Sequence, residues 1–209
     1  MLNSKLAIFT LLCSSFVMCQ STQFYLLRHA QGFHNVPPPE FSGDWATDPL
    51  MADAELTEVG HMQTLNKRPL YTDFKFDEIY VSPLRRCRQT LLGVYPAAAN
   101  LTVLVDDRLI EQKAFGAICN KRVERNDVIS TSPAAWDFSG VAELNPYGPT
   151  SDDEDFALIR SFTADVMKKH PGGKVLVVAH AGWIWRWFEL FKGDGFGLDN
   201  CEMVSASLD

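Results

Sequence analysis

The segment Phe24-Tyr-Leu-Leu-Arg28-His29-Ala-Gln-Gly-Phe-His-Asn35 passes from an apolar, strand-like run directly into an Arg-His pair and a turn of small residues. Arginine suits phosphate because its planar fork of donors matches two oxygens, and a neutral imidazole beside it can attack phosphorus. An Arg-His pair alone is commonplace, so a surface or core histidine is the competing reading. Three later segments bear on the choice. Ser82-Pro-Leu-Arg85-Arg86-Cys87-Arg88-Gln-Thr90 follows the apolar run Asp77-Glu-Ile-Tyr-Val81, and Arg108-Leu-Ile-Glu111 follows Leu101-Thr-Val-Leu-Val105. Lys174-Val-Leu-Val-Val-Ala-His180-Ala-Gly182 is an apolar run that ends in histidine and then small residues.

These segments need a scaffold that gathers them. The apolar runs ending at Val81, Val105 and Ala179 are of the kind buried on both faces of a parallel sheet, and helical patterns separate them. Residues 57–68, 84–95, 152–169 and 182–191 are the predicted helices. The third has Ser151 as N-cap, Lys168 and Lys169 in its last turn and Pro171-Gly-Gly173 as a stop; its acidic run Asp152-Asp-Glu-Asp155 therefore reads as a helix start, not a metal site. The alternation predicts one α/β domain, a three-layer α/β/α sandwich around a mostly parallel sheet, whose carboxyl edge would collect the matched residues.

The order Arg-His, Arg, Glu, His-Ala-Gly, each after a strand, resembles the histidine phosphatase superfamily, which includes the cofactor-dependent phosphoglycerate mutases. The resemblance runs from about Phe24 to the C-terminus. Leu-Leu-Arg28-His29-Ala30 looks like the family's Arg-His-Gly motif, with Ala30 in the glycine position and Asn35 on the asparagine that ends it. Leu56-Thr57-Glu-Val-Gly60-His-Met-Gln63 is similar to the family's Leu-Thr-x-x-Gly-x-x-Gln helix start. In the Ser-x-Leu-x-Arg-Ala-x-x-Thr pattern the registered arginine is Arg86, and Cys87 replaces alanine. Gly32 stands where many relatives carry serine or threonine, so a hydroxyl contact to phosphate is missing, and Gln112 to Gly116 is not the usual continuation after Glu111. The wording around His29 and Asn200-Cys-Glu202 looks most like the eukaryotic phosphoglycerate mutase-like phosphatases.

The resemblance implies His29 as a nucleophile that forms a phosphohistidine, with its second nitrogen held by a backbone carbonyl or water. Arg28, Arg86 and His180 would surround the transferring phosphoryl group, with Asn35 as a further phosphate contact and Glu111 as proton donor to the leaving oxygen. A helix cap or surface ion pair is the alternative for Glu111, a turn asparagine for Asn35 and a core histidine for His180; His34 reads as a plain loop residue. No cofactor and no metal is required: His29, His34 and His61 show no compact ligand spacing, and no P-loop or G-x-G-x-x-G turn is present. The expected partner is a small phosphorylated substrate. Arg85 and Arg88 read as a solvated helix face, and Trp183, Trp185 and Trp187 as packing of the helix after His180.

With 209 residues, 46% of them hydrophobic, the chain suffices for one sizeable core. A net charge of −7 argues against nucleic acid or an anionic membrane as the main partner. Residues 1–20 carry Lys5, then an apolar run from Leu6 to Cys19, then small polar residues, the pattern of a secretory signal peptide preceding a domain at 21–209. The run is shorter than the ~20 residues of a transmembrane helix, so no stable membrane span is expected. A non-cleaved anchor or a short amphipathic cap is the alternative; without a signal the protein would be cytoplasmic. Cleavage would leave Cys87, Cys119 and Cys201, too few for a disulfide framework, and Asn100-Leu-Thr102 is a glycosylation sequon usable on a secretory route.

Two proline-bearing stretches, residues 36–49 and 115–150, read as long loops, either lids that select the substrate or plain surface decoration. Three functions stay open: a phosphomonoesterase acting through His29; a mutase whose second anionic pocket draws on Lys113, Lys121, Arg122 and Arg125; and a catalytically silent phosphate-binding relative.

Overall fold

The computed structural model describes residues 20–36, 47–111, 116–146, 148 and 150–209. Most of the apolar leader, the Pro37-Pro-Pro39 loop and Lys113 lie outside the described residues. Six strands form one sheet: β1 (Thr22–Arg28), β2 (Glu78–Val81), β3 (Leu104–Asp106), β4 (Asp137–Gly140), β5 (Lys174–Ala179) and β6 (Met203–Leu208). Their order is β4-β3-β2-β5-β1-β6, parallel throughout except for the antiparallel edge strand β6.

Strand side chains alternate between two cores, as the pleat requires. Leu27, Val81, Val105, Leu176 and Val178 face Cys87, Leu91 and Val94 of helix α2 (Arg85–Val94). Phe24, Leu26, Tyr80, Val175 and Val177 face Ile159, Phe162 and Val166 of α4 (Asp152–Lys169) and Trp183, Ile184 and Trp187 of α5 (Ala181–Lys192). Helices thus cover both faces, and the three-layer sandwich stands. Among the described residues no helix is long and apolar enough to cross a membrane.

Local chemistry accounts for the helix starts. Ser151 and Glu154 form a reciprocal capping box at α4. Helix α1 (Glu58–Tyr71) begins at Thr57, whose Oγ1 accepts the Gly60 N–H at 3.0 Å. It continues three residues beyond its predicted end at Arg68, carrying Pro69 inside its last turn.

The stretch at 115–150 is not a long loop. It contains helix α3 (Arg125–Ser130) and the edge strand β4, which pairs with β3. Asp137-Phe-Ser-Gly140 has only one apolar side chain, so its strand is set by pairing with Leu104 and Asp106 instead of by sequence pattern. β6 is also not among the expected strands; exposed Ser205 and Ser207 alternate with Val204, Ala206 and Leu208 along it, the pattern of a half-buried edge strand.

Candidate active site

The register of the sheet brings the two histidines together. Arg28 pairs with Ala179 at the end of the β1–β5 ladder, and Val81 pairs with Val178 across β2–β5. The next residues, His29, His180 and Ser82, therefore leave three adjacent strands at the same carboxyl edge, where open α/β sheets bind ligands. The His29 and His180 rings lie 5.2 Å apart, centroid to centroid.

His29 is buried and pinned on all sides. Its N–H donates to Ala179 O at 3.0 Å, and its carbonyl accepts from Cys201 N and Asn200 Nδ2. Nδ1 lies 2.7 Å from the Ala30 carbonyl. That oxygen can only accept, so Nδ1 carries the proton and Nε2 keeps its lone pair. Burial, then the nearby Arg86, His34 and Arg28 charges, hold the His29 pKa well below its ordinary value. The ring is thus neutral, with its lone pair at Nε2.

The turn after His29 is clamped by the residues of the other motifs. Thr90 Oγ1 accepts the Ala30 N–H at 2.9 Å and donates to Arg86 O, tying α2 to the turn. Gln63 accepts from Gln31 N at 2.8 Å, and Thr57 N donates to Gln31 O. Gly60 lies so close to this turn that a Cβ would stand 2.1 Å from Gln31 O. The Leu-Thr-x-x-Gly-x-x-Gln segment is therefore a bracket for the nucleophile loop.

Arg86 is the electrostatic centre. Its side chain is 0% exposed. Nη1 donates to Cys119 O at 2.7 Å and Nη2 to Asn120 Oδ1 at 3.0 Å, while Nε has no partner among the described residues. None of the ion pairs among the described residues involves it. An unpaired buried cation is costly unless a ligand supplies the anion. Arg28 donates from Nη1 to Leu198 O at 2.6 Å, and its buried Nε likewise has no partner among the described residues.

His180 caps the start of α5, with Nε2 2.9 Å from Ser82 Oγ and the Cys87 sulfur 3.5 Å from the same nitrogen. Burial and then Arg86 lower its pKa well below the ordinary value. Glu111 reaches the same helix start: its carboxylate accepts from Gly182 N at 3.3 Å and Trp183 N at 3.1 Å. The helix-cap role is thus realised, and it puts the carboxylate within the electrostatic reach of Arg28. Asn35, which is exposed, ends a single helical turn, and its Oδ1 accepts the Gly32 N–H at 3.0 Å.

Several expectations change. Arg88 is not on a solvated face: it is 3% exposed, and it donates to Pro83 O, Thr131 Oγ1 and Ser132 Oγ. Arg85 is partly exposed, as read, with Glu55 at 3.8 Å. Arg122 is buried and paired with Asp107, and Arg125 binds Val141 O and Glu143, so neither offers a free charge to a second anionic pocket. Trp183 and Trp187 are core, whereas half-exposed Trp185 covers Gly195. Cys87, Cys119 and Cys201 are free, buried thiols. His34, read as a loop residue, lies with its ring 5.3 Å from that of His29.

A neutral imidazole with its lone pair at Nε2, within electrostatic reach of buried Arg86 and partly buried Arg28, agrees with what comparison shows. The family model of the histidine phosphatase superfamily (branch 1) matches residues 24–207. The chain belongs to that superfamily. It is 30% identical over 182 residues to phosphomutase-like protein 3 of Candida albicans, covering 78% of this chain and 57% of that protein. The chain thus spans little more than half the length of this relative. Among solved structures it is similar to ecdysone phosphate phosphatase of Bombix mori in complex with tungstate (TM-score 0.63, 15% identity, 88% of each chain covered). A mycobacterial glucosyl-3-phosphoglycerate phosphatase gives a TM-score of 0.58 at 20% identity, with 90% of each chain covered. At these identities the structural matches establish the phosphoglycerate mutase-like fold alone.

Proposed function

We propose that the protein is a metal-independent phosphomonoesterase. Nε2 of His29 attacks the phosphorus of a small phosphorylated substrate, and the ester oxygen leaves as the N–P bond forms. Arg28 and Arg86 hold the phosphoryl oxygens, joined by His180 and the Asn35 amide. Their charge is fixed in place before reaction, so it stabilises the transition state without reorganisation. Water then attacks the phosphohistidine, releasing phosphate and restoring His29. Glu111, held beside His180 at the start of α5, is the assigned proton donor to the leaving oxygen and the base for water.

One observation carries this reading: the guanidinium of Arg86, fully buried with no ion-pair partner among the described residues, lies near an imidazole whose tautomer leaves Nε2 free. Hydrolysis is favoured over mutase chemistry in that Arg122 and Arg125, two of the four basic residues read for a second anionic pocket, are committed within the fold. The same proposal includes export. Asn100, the sequon asparagine, is exposed at the end of the turn Pro96–Asn100, so the exported chain should change mobility on glycosidase treatment.

The decisive experiment measures phosphate release from a panel of phosphomonoesters in EDTA, comparing the wild type with His29→Ala. Release by the wild type and its loss in the variant are expected, together with acid-labile label on the wild-type protein. Release that persists in His29→Ala would overturn the assignment of the nucleophile; transfer to a second substrate position without release would favour a mutase.

A further inference from the structure

His34 is 8% exposed, and its Nδ1 is buried with no hydrogen-bond partner among the described residues. The ring is fixed by its turn: Phe33 N donates to Glu55 O at 3.0 Å and Asn35 N to Gly32 O at 2.9 Å. It can occupy this place only because residue 32 has no side chain. A Cβ on Gly32 would lie 2.8 Å from His34 Nδ1 and 3.0 Å from Cε1, closer than such contacts allow. The missing side chain at 32 and the imidazole at 34 are therefore one feature.

We propose that His34 contacts the substrate, its ring standing where a side chain at position 32 would otherwise be and its Nδ1–H donating to a phosphoryl oxygen beside His29. This deepens the phosphatase reading and rests on it. A buried polar atom needs a partner, and the partner here must suit its surroundings. A cation does not: two arginines border the site, His29 Nδ1 is committed to Ala30 O, and His180 Nε2 engages Ser82. Burial first, then Arg86 and Arg28, push the His34 pKa down to about 2, so the ring is neutral and has one N–H to offer. A phosphoryl dianion only accepts, which selects the Nδ1–H tautomer in the complex.

The test compares wild type, His34→Phe and His34→Gln. Phenylalanine keeps a flat buried ring and removes the donor; glutamine restores an N–H. Inorganic phosphate binding is measured by calorimetry, alongside kcat/KM and thermal unfolding. His34→Phe should bind phosphate about 10- to 100-fold more weakly, lose a similar factor in kcat/KM and melt no lower than wild type, with partial recovery in His34→Gln. Phosphate affinity within about twofold of wild type in a folded His34→Phe would overturn the proposal. A double-mutant cycle guards against misfolding: Gly32→Ala should weaken phosphate in the wild type and have little effect in His34→Ala, whereas additive effects would also overturn it. Wild type that binds phosphate without hydrolysing any ester retires the phosphatase reading but leaves the His34 contact standing. Wild type that neither binds nor hydrolyses retires both.

Discussion

Arg86 and Arg122 are both sealed from solvent, at 0% and 1% exposure, yet their surroundings differ in one respect. Arg122 meets Asp107 through Nε at 2.9 Å and Nη2 at 3.2 Å, and its remaining donors reach Val123 O, Ala142 O and Leu144 O. Asp107 in turn accepts from Ala142 N. This closed network fastens the 120–145 segment to the end of β3. Among the described residues Arg86 has only neutral acceptors, Cys119 O and Asn120 Oδ1, and its Nε has no partner. One guanidinium has its counter-ion within the fold, and the other has none among the described residues. Burial of an arginine therefore says little about function until its counter-ion is found.

Substitution of each by methionine tests that distinction. Arg86→Met should lower kcat/KM by about 10³-fold, since the charge that stabilises the phosphoryl oxygens is gone. It should be at least as stable as wild type without phosphate, because no carboxylate is orphaned and a buried charge is removed. Inorganic phosphate should raise the melting temperature of wild type and leave that of the variant unmoved. Arg122→Met should do the reverse, costing about 3–5 kcal/mol in urea unfolding as Asp107 is left buried and unpaired. Its folded fraction should keep kcat/KM within about fivefold of wild type. Loss of activity without loss of stability in Arg122→Met would break the comparison.

Arg86 and Arg122 also mark what the sequence could and could not show. Arg28, His29, Arg86 and His180 were legible because each follows an apolar strand, and the sheet register does the assembly. Arg88 was misread because its acceptors, Thr131 and Ser132, come from a stretch without periodicity. Arg122 counts among the residues open to a second anionic pocket because its partner, Asp107, lies fifteen residues away on a turn that no pattern links to it. His34 was passed over for a different reason. Its burial depends on the absence of a Cβ two residues earlier, so the signal was present as Gly32 but was read as a lost hydroxyl, not as room for a ring.

The smallest effect concerns pH, and it asks how far the unpaired charge of Arg86 reaches. His29, His34 and His180 all have depressed pKa values in the fold, with burial the largest cause and Arg86 the second in each. The unfolded chain binds protons at these positions below about pH 6.5, whereas the folded chain does not. Their contribution to stability is therefore full above about pH 6.5 and falls as pH drops, down to about 2 for His34. The loss approaches ~1.4 kcal/mol per pH unit for each histidine. Urea unfolding between pH 6.5 and 5 without phosphate should give His34→Phe a shallower slope than wild type, by up to that amount. Arg122→Met should retain the wild-type slope, since Arg122 is not among the causes of any of the three shifts. Arg86→Met should flatten it only slightly, because burial remains. A large flattening would mean that the guanidinium, more than the sealed pocket, keeps these imidazoles neutral.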